Sequence, residues 1–159
     1  MVPLNFSPYS STPPPDTSVE GLLGTRYTPD YREAFPDVKS PYLPLGYLCL
    51  LQLRMPKKKV GSIFVPDSEV DAERYRVQST LVRSLGVSCF KDRQTGDPWV
   101  EGAWFAPGDF VRSPLFGGDR FTVDFKASDG KTDKVTFVFV KDSDVVALVT
   151  GDPLHVTTS

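Results

Sequence analysis

The sequence predicts an all-β body, a small and partly open β-barrel, carrying an extended proline-rich N-terminal arm. Three observations predict it. Nine of the fifteen prolines fall in the first 45 residues, where they leave little uninterrupted room for a helix or a central strand. From Gly46 onward the composition changes to short apolar runs bounded by Gly, Pro and Asp, the spacing of many short strands. Within that stretch Arg120-Phe121-Thr122-Val123-Asp124-Phe125-Lys126 alternates strictly, so Phe121, Val123 and Phe125 share one face of a half-buried strand.

Three regions follow: an arm at 1–45, a barrel at 46–150 and a C-terminal tail at 151–159. The arm carries Phe6, Tyr9, Leu22, Leu23, Tyr27, Tyr31 and Phe35, too apolar for a spacer that only needs to be solvated. It either wraps its own domain or lies on neighbouring subunits of a larger assembly, and the second is the expectation. One short helix is predicted from Pro29 to Phe35, with Thr28 as cap, Pro29 at the first helical position and Asp30 in the first turn.

Strands are expected at Tyr47 to Arg54, Val60 to Val65, Tyr75 to Leu85, Trp99 to Phe105, Asp109 to Arg112, Arg120 to Lys126, Lys134 to Val140 and Val145 to Thr150. Lys134 to Val140 is apolar on both faces, as a strand covered from both sides requires. Asp129-Gly130 is a turn signal, so this strand forms a hairpin with the one before it. Lys141-Asp142-Ser143-Asp144 is too polar to continue the strand and suits one helical turn or a solvated loop. Closure brings late strands against early ones, which removes exposed edges.

Composition narrows the function. Lys plus Arg is 18 and Asp plus Glu is 20, a formal net charge of -2, so no overall positive field draws in nucleic acid. No apolar run is long enough for a membrane span, and no charged n-region precedes an apolar h-region, so neither membrane insertion nor Sec secretion is expected. The one histidine, His155, cannot build a triad or a multi-histidine metal site. Cys49 and Cys89 sit in apolar segments without metal-ligand spacing and read as reduced packing residues. No enzyme, no cofactor and no metal are expected. Trp99 and Trp104 read as core or loop cover more readily than as a sugar-stacking platform.

One segment offers a partner site. Lys57-Lys58-Lys59 leads through Val60-Gly61-Ser62 into Ile63-Phe64-Val65. As structure this is a loop feeding a strand; as function, Ile63, Phe64 and Val65 anchor in a hydrophobic groove of a partner.

The order of these features resembles the GroES-type co-chaperonin family. The correspondence runs through Tyr47 to Arg54, Gly61 to Val65, Ser79 to Gly86, the loop Lys91 to Pro98, Pro107-Gly108-Asp109-Phe110-Val111 and Asp142 to Val149. The resemblance covers residues 46 to 150. It implies that Ile63, Phe64 and Val65 bind a chaperonin, and that Tyr47 to Arg54 pairs with Val145 to Thr150 of a neighbouring subunit in a ring. Only Met55 to Val60 separates the first strand from Gly61, Ser62 replaces a second glycine, and the arm has no counterpart in ordinary cellular members. These departures make the leading expectation a bacteriophage capsid decoration or cement protein at the virion surface, an oligomer binding the major capsid protein through its arm and barrel edges. The alternative is a phage-type co-chaperonin in the host cytoplasm, capping a chaperonin to assist capsid-protein folding.

Overall fold

A computed structural model describes residues 18–56, 59–60, 63–64, 66, 77–127 and 129–154. The elements in chain order are α1 (Val19–Leu23), α2 (Pro29–Ala34), β1 (Leu48–Leu53), β2 (Lys59–Val60), β3 (Ile63–Phe64), β4 (Ser79–Leu85), β5 (Phe110–Arg112), β6 (Asp119–Lys126), β7 (Thr132–Lys141) and β8 (Ala147–Leu148). Six strands form one antiparallel sheet in the order β6-β7-β1-β4-β5-β8, and β2 and β3 form a separate ribbon. The fold is mostly β, as the sequence predicts. Among the described residues no pairing joins β6 to β8, so the sheet is open and these two strands are its edges.

The alternation along β1 sends residues to two different cores. Cys49, Leu51 and Leu53 pack with Val82, Val111, Val138 and Val140 on one face, while Leu50 joins Val135, Phe137 and Val38 on the other. A register shift between Leu50 and Leu51 marks a bulge against β4. Full burial of a side chain such as Phe137 or Leu51 contributes about 1.5–3 kcal/mol, so a strand apolar on both faces belongs in the middle. That is where β1 and β7 lie. The β6–β7 hairpin turns at Gly130, whose φ of 82° requires glycine. Residues 142–144 form one turn of 3-10 helix, as expected for that polar tetrapeptide.

The first face is covered by the long connection between β4 and β5, which inserts Cys89, Phe90 and Phe105 and lays Trp99 against them. The second face is covered by the N-terminal segment. Val19, Leu23, Tyr27 and Phe35 pack on Leu81 and Phe110. This corrects the extended-arm reading for residues 19–34: α1 and α2 are helical, and the segment docks on the chain's own sheet. The helix expected after Thr28 is α2, with Pro29 in its first turn. The preceding helix, α1, escaped the sequence reading; Ser18 caps it by accepting the Gly21 amide through Oγ at 3.1 Å. The start of the tail is also packed, since Pro153 is buried and its carbonyl accepts from Arg54 Nη1 at 3.3 Å.

Other strand expectations are corrected. Trp99 to Phe105 is a loop, because Gly102 at φ 77° closes a turn back onto the Trp99 carbonyl. Val60 to Val65 is not one strand: Val60 belongs to β2 and pairs antiparallel with Ile63 of β3. The last strand is shorter than Val145 to Thr150, because its partner β5 offers just two paired positions, Val111 and Arg112. In the expected strand Tyr75 to Leu85, pairing begins at Ser79; Tyr75 and Arg76 lie outside the described residues.

Candidate functional site

The residues singled out for partner binding separate into three groups. Leu23, Tyr27 and Phe35 are buried against the chain's own sheet, and Leu22 and Tyr31 are half-buried. Tyr27 Oη donates to the Phe35 carbonyl at 2.7 Å, and the phenol is pushed up to about 12, mainly by burial with Asp37 adding to it. The Val19 amide donates to Asp37 Oδ1 at 3.0 Å, pinning the start of α1. These aromatic and aliphatic groups are adhesive, as their composition suggests, but the surface they adhere to is intramolecular.

Ile63 and Phe64 form the second group. They make up β3, paired with Lys59 and Val60 in a ribbon outside the six-stranded sheet. Phe6, Tyr9 and Val65 form the third and lie outside the described residues.

A polar network that the sequence did not announce fastens the N-terminal segment. Arg83 Nη1 donates to the Val38 carbonyl at 2.9 Å and to Gln52 Oε1 at 2.6 Å, while Gln52 Nε2 donates to the Pro36 carbonyl at 2.9 Å. Both side chains are buried. Burial pulls the Arg83 pKa down, with Asp37 opposing that shift. Gly108 lets α1 approach, since a Cβ there would stand 3.3 Å from the Leu22 carbonyl oxygen. The Gly-Asp turn thus seats the helix as well as starting β5. The signal in the sequence was a Gln in the otherwise apolar run Leu48 to Leu53 and an Arg beside Leu81 and Val82, polar groups that demand partners when their strands are buried.

Exposed apolar groups occupy the segment Tyr42 to Leu45 and the β8 edge. Tyr42, Leu43 and Leu45 are exposed, as are Val146, at 60 %, and Leu148. Phe116, 84 % exposed, stands on the β5–β6 loop. β1 does not offer an edge: it pairs with β7 on one side and β4 on the other. This corrects the expectation that Tyr47 to Arg54 pairs with a neighbouring subunit, because its backbone groups are already satisfied within the chain.

A surface cleft of about 760 Å³ lies beside the 3-10 turn, lined by Asp92, Asp97, Trp99, Glu101, Trp104 and Ser143 among others. The Trp99 and Trp104 rings meet in a tilted contact, 4.9 Å between centroids with their planes 53° apart, Trp99 packed inward and Trp104 exposed. Asp92 is committed to the loop: its Oδ1 accepts the Gln94 and Thr95 amides at 2.8 and 3.0 Å, which hold its carboxyl below the usual carboxylate range. Among the described residues no cluster of three or more His, Cys, Asp or Glu is arranged to hold a metal, and no helix is long and apolar enough to cross a membrane. No protein-family model, curated protein or solved structure matches the chain.

Proposed function

We propose that this is a non-enzymatic phage protein on a GroES-like scaffold, which acts as a co-chaperonin by docking Ile63, Phe64 and Val65 into an apolar groove of a chaperonin. The observation that carries this reading is the β2–β3 ribbon, which places Ile63 and Phe64 on a hairpin paired with itself rather than within the main sheet. A short hairpin with apolar residues on one arm suits insertion into a groove, where a few buried anchors supply most of the affinity. The order of elements supports the GroES-like assignment: β4 runs into Gly86, Gly108-Asp109 precedes β5, and the Asp142–Asp144 turn leads to β8. Closure of the sheet into a partly open barrel belongs to the same proposal. Subunits would meet through the β8 edge and the exposed Leu43 and Leu45, since β1 has no free edge.

The test is nucleotide-dependent capture by chaperonin, with intact-mass and sedimentation controls on the same samples. Phe64→Glu is expected to abolish capture and leave the oligomer unchanged. Capture at the wild-type level by this variant would overturn the reading.

Capsid decoration is the second reading. Docking of α1 and α2 on their own sheet removes part of the arm from that role, but the exposed strip from Tyr42 to Leu45 and the β8 edge favour attachment to a protein surface such as the major capsid protein. Deleting residues 1–17 would then lower the copy number on gradient-purified particles while the protein stays folded. A fixed copy number on those particles, unaffected by Phe64→Glu, would place decoration first.

A further inference from the structure

Cys49 and Cys89 are 40 positions apart in sequence, yet their Sγ atoms stand 3.8 Å from each other. Cys49 lies on β1 and is fully buried, while Cys89 is 8 % exposed and lies on the turn that follows β4. Both are free thiols. The backbone of that turn is already fixed against the start of β1: the Gly86 amide donates to the Leu48 carbonyl and the Ser88 amide to the Gly46 carbonyl, each at 2.8 Å. Cys89 Sγ also donates to the Leu48 carbonyl at 3.4 Å. Two sulfurs carried by adjoining, mutually hydrogen-bonded segments need a side-chain adjustment of under about 2 Å to reach a disulfide length of roughly 2.05 Å.

We propose that Cys49 and Cys89 are an oxidisable pair, converted by a peroxide to an intramolecular disulfide that locks the loop 86–106 to β1. The Cys89 thiolate attacks one peroxide oxygen, the O–O bond breaks, and the other oxygen leaves as water after taking the thiol proton. Cys89 is then a sulfenic acid. Cys49 sulfur attacks Cys89 sulfur, the S–S bond forms, the S–O bond breaks, and hydroxide departs with the Cys49 proton as a second water. Two thiols lose two electrons and two protons, and one peroxide becomes two waters. Cys89 is the point of entry because it alone of the two has solvent exposure. The Cys49 thiol supports this order, since its hydrogen bond to Cys89 sulfur holds the Cys89 pKa down, while burial and the same bond push Cys49 up.

The consequence is mechanical. The loop 86–106 carries Phe90, Trp99 and Phe105, which cover one face of the sheet. A bond from its first turn to the central strand closes a 40-residue separation and removes that chain entropy from the unfolded state.

The reduced full-length chain is titrated with hydrogen peroxide in the folded state and mapped by mass spectrometry without reduction. The expected product is a monomeric chain lighter by two hydrogen atoms, with a linked Cys49–Cys89 peptide, a melting temperature raised by several degrees, and full reversal by a dithiol reductant. In Cys49→Ala a sulfenic-acid probe is expected to label Cys89, and in Cys89→Ala the remaining thiol is expected to resist peroxide. The wild-type measurement needs neither variant to fold. Thiols that react only after denaturation, intermolecular cross-links, or Cys89 sulfinic acid in the wild-type chain would each overturn the proposal.

Discussion

The Asp142 carboxylate accepts the Phe90 backbone amide through Oδ2 at 2.8 Å, although 52 residues separate them. Its other oxygen accepts the Ser143 amide at 2.8 Å. The bond matters because Phe90 sits at φ 61°, in the left-handed region that a bulky side chain rarely adopts. Edge-to-face contacts with Trp99 and Phe105, at 5.5 and 4.9 Å, hold its ring in place. Asp142, the second residue of the polar tetrapeptide expected to be a solvated turn, is therefore a buried anchor for the loop over the sheet.

Asp142→Ala should cost about 2–4 kcal/mol, the usual range for removing a buried charged acceptor and leaving its donor unpaired. Urea unfolding measures the loss, and hydrogen exchange should rise first at residues 86–106. A variant within about 0.5 kcal/mol of wild type would show that the loop is held by its aromatic rings alone.

Arg83→Met keeps most of the side-chain volume but strips the donor from the Val38 carbonyl and Gln52 Oε1. The expected cost is about 2–3 kcal/mol, with new protease cleavage within residues 18–38. Unchanged protection of that segment would mean that packing by Val19, Leu23 and Phe35 suffices to dock it.

At Gly86 a Cβ would collide with the Gly46 carbonyl oxygen and come within 2.8 Å of its carbon. Backbone is on the receiving side of that contact, so neither partner yields cheaply. Gly86→Ala should destabilise the fold by about 2–4 kcal/mol through overpacking and lost strand pairing. A soluble variant with a wild-type melting temperature would contradict the close approach of the two segments.

Tyr27 gives a pH dependence with a definite sign. Its phenol holds its proton to about 12 in the folded state, whereas an unfolded tyrosine releases it near pH 10. The folded state binds more protons in that window, so stability is intact below about pH 10 and falls by about 2–3 kcal/mol as pH approaches 12. Tyr27→Phe should flatten this step and lower stability at neutral pH by about 1 kcal/mol, because the Phe35 carbonyl loses its donor. Tyr31, raised by burial and by Asp152, leaves its own contribution to the alkaline decline. Denaturant titrations of both chains across pH 8 to about 12 measure the difference.

Much of the sheet was legible because its signals are local. Strict alternation announced β6, two-sided apolarity announced the covered β7, and Asp129-Gly130 announced the hairpin between them. α2 was legible from Thr28, Pro29 and Asp30, whereas α1 is a five-residue helix beside a proline cluster and has too short a pattern to detect. Trp99 to Phe105 has strand-like composition, yet Gly102 turns the chain and the tryptophans pack as loop cover. Of the candidate site, the apolar tripeptide was legible as a motif, but the antiparallel pairing of Val60 with Ile63, which splits the expected strand into β2 and β3, was not.

By itself the sequence determined the β class, the main strand positions and the adhesive character of the N-terminal segment, because alternation, turn residues and apolar content are properties of neighbouring residues. Only the tertiary structure decided what that segment adheres to, which strands keep free edges, and which polar groups are buried. Each of those depends on contacts between residues far apart in the chain. Asp142 finds Phe90, Arg83 finds Val38, and Cys49 finds Cys89 because the sheet order places β1 between β4 and β7, and no local pattern encodes that order.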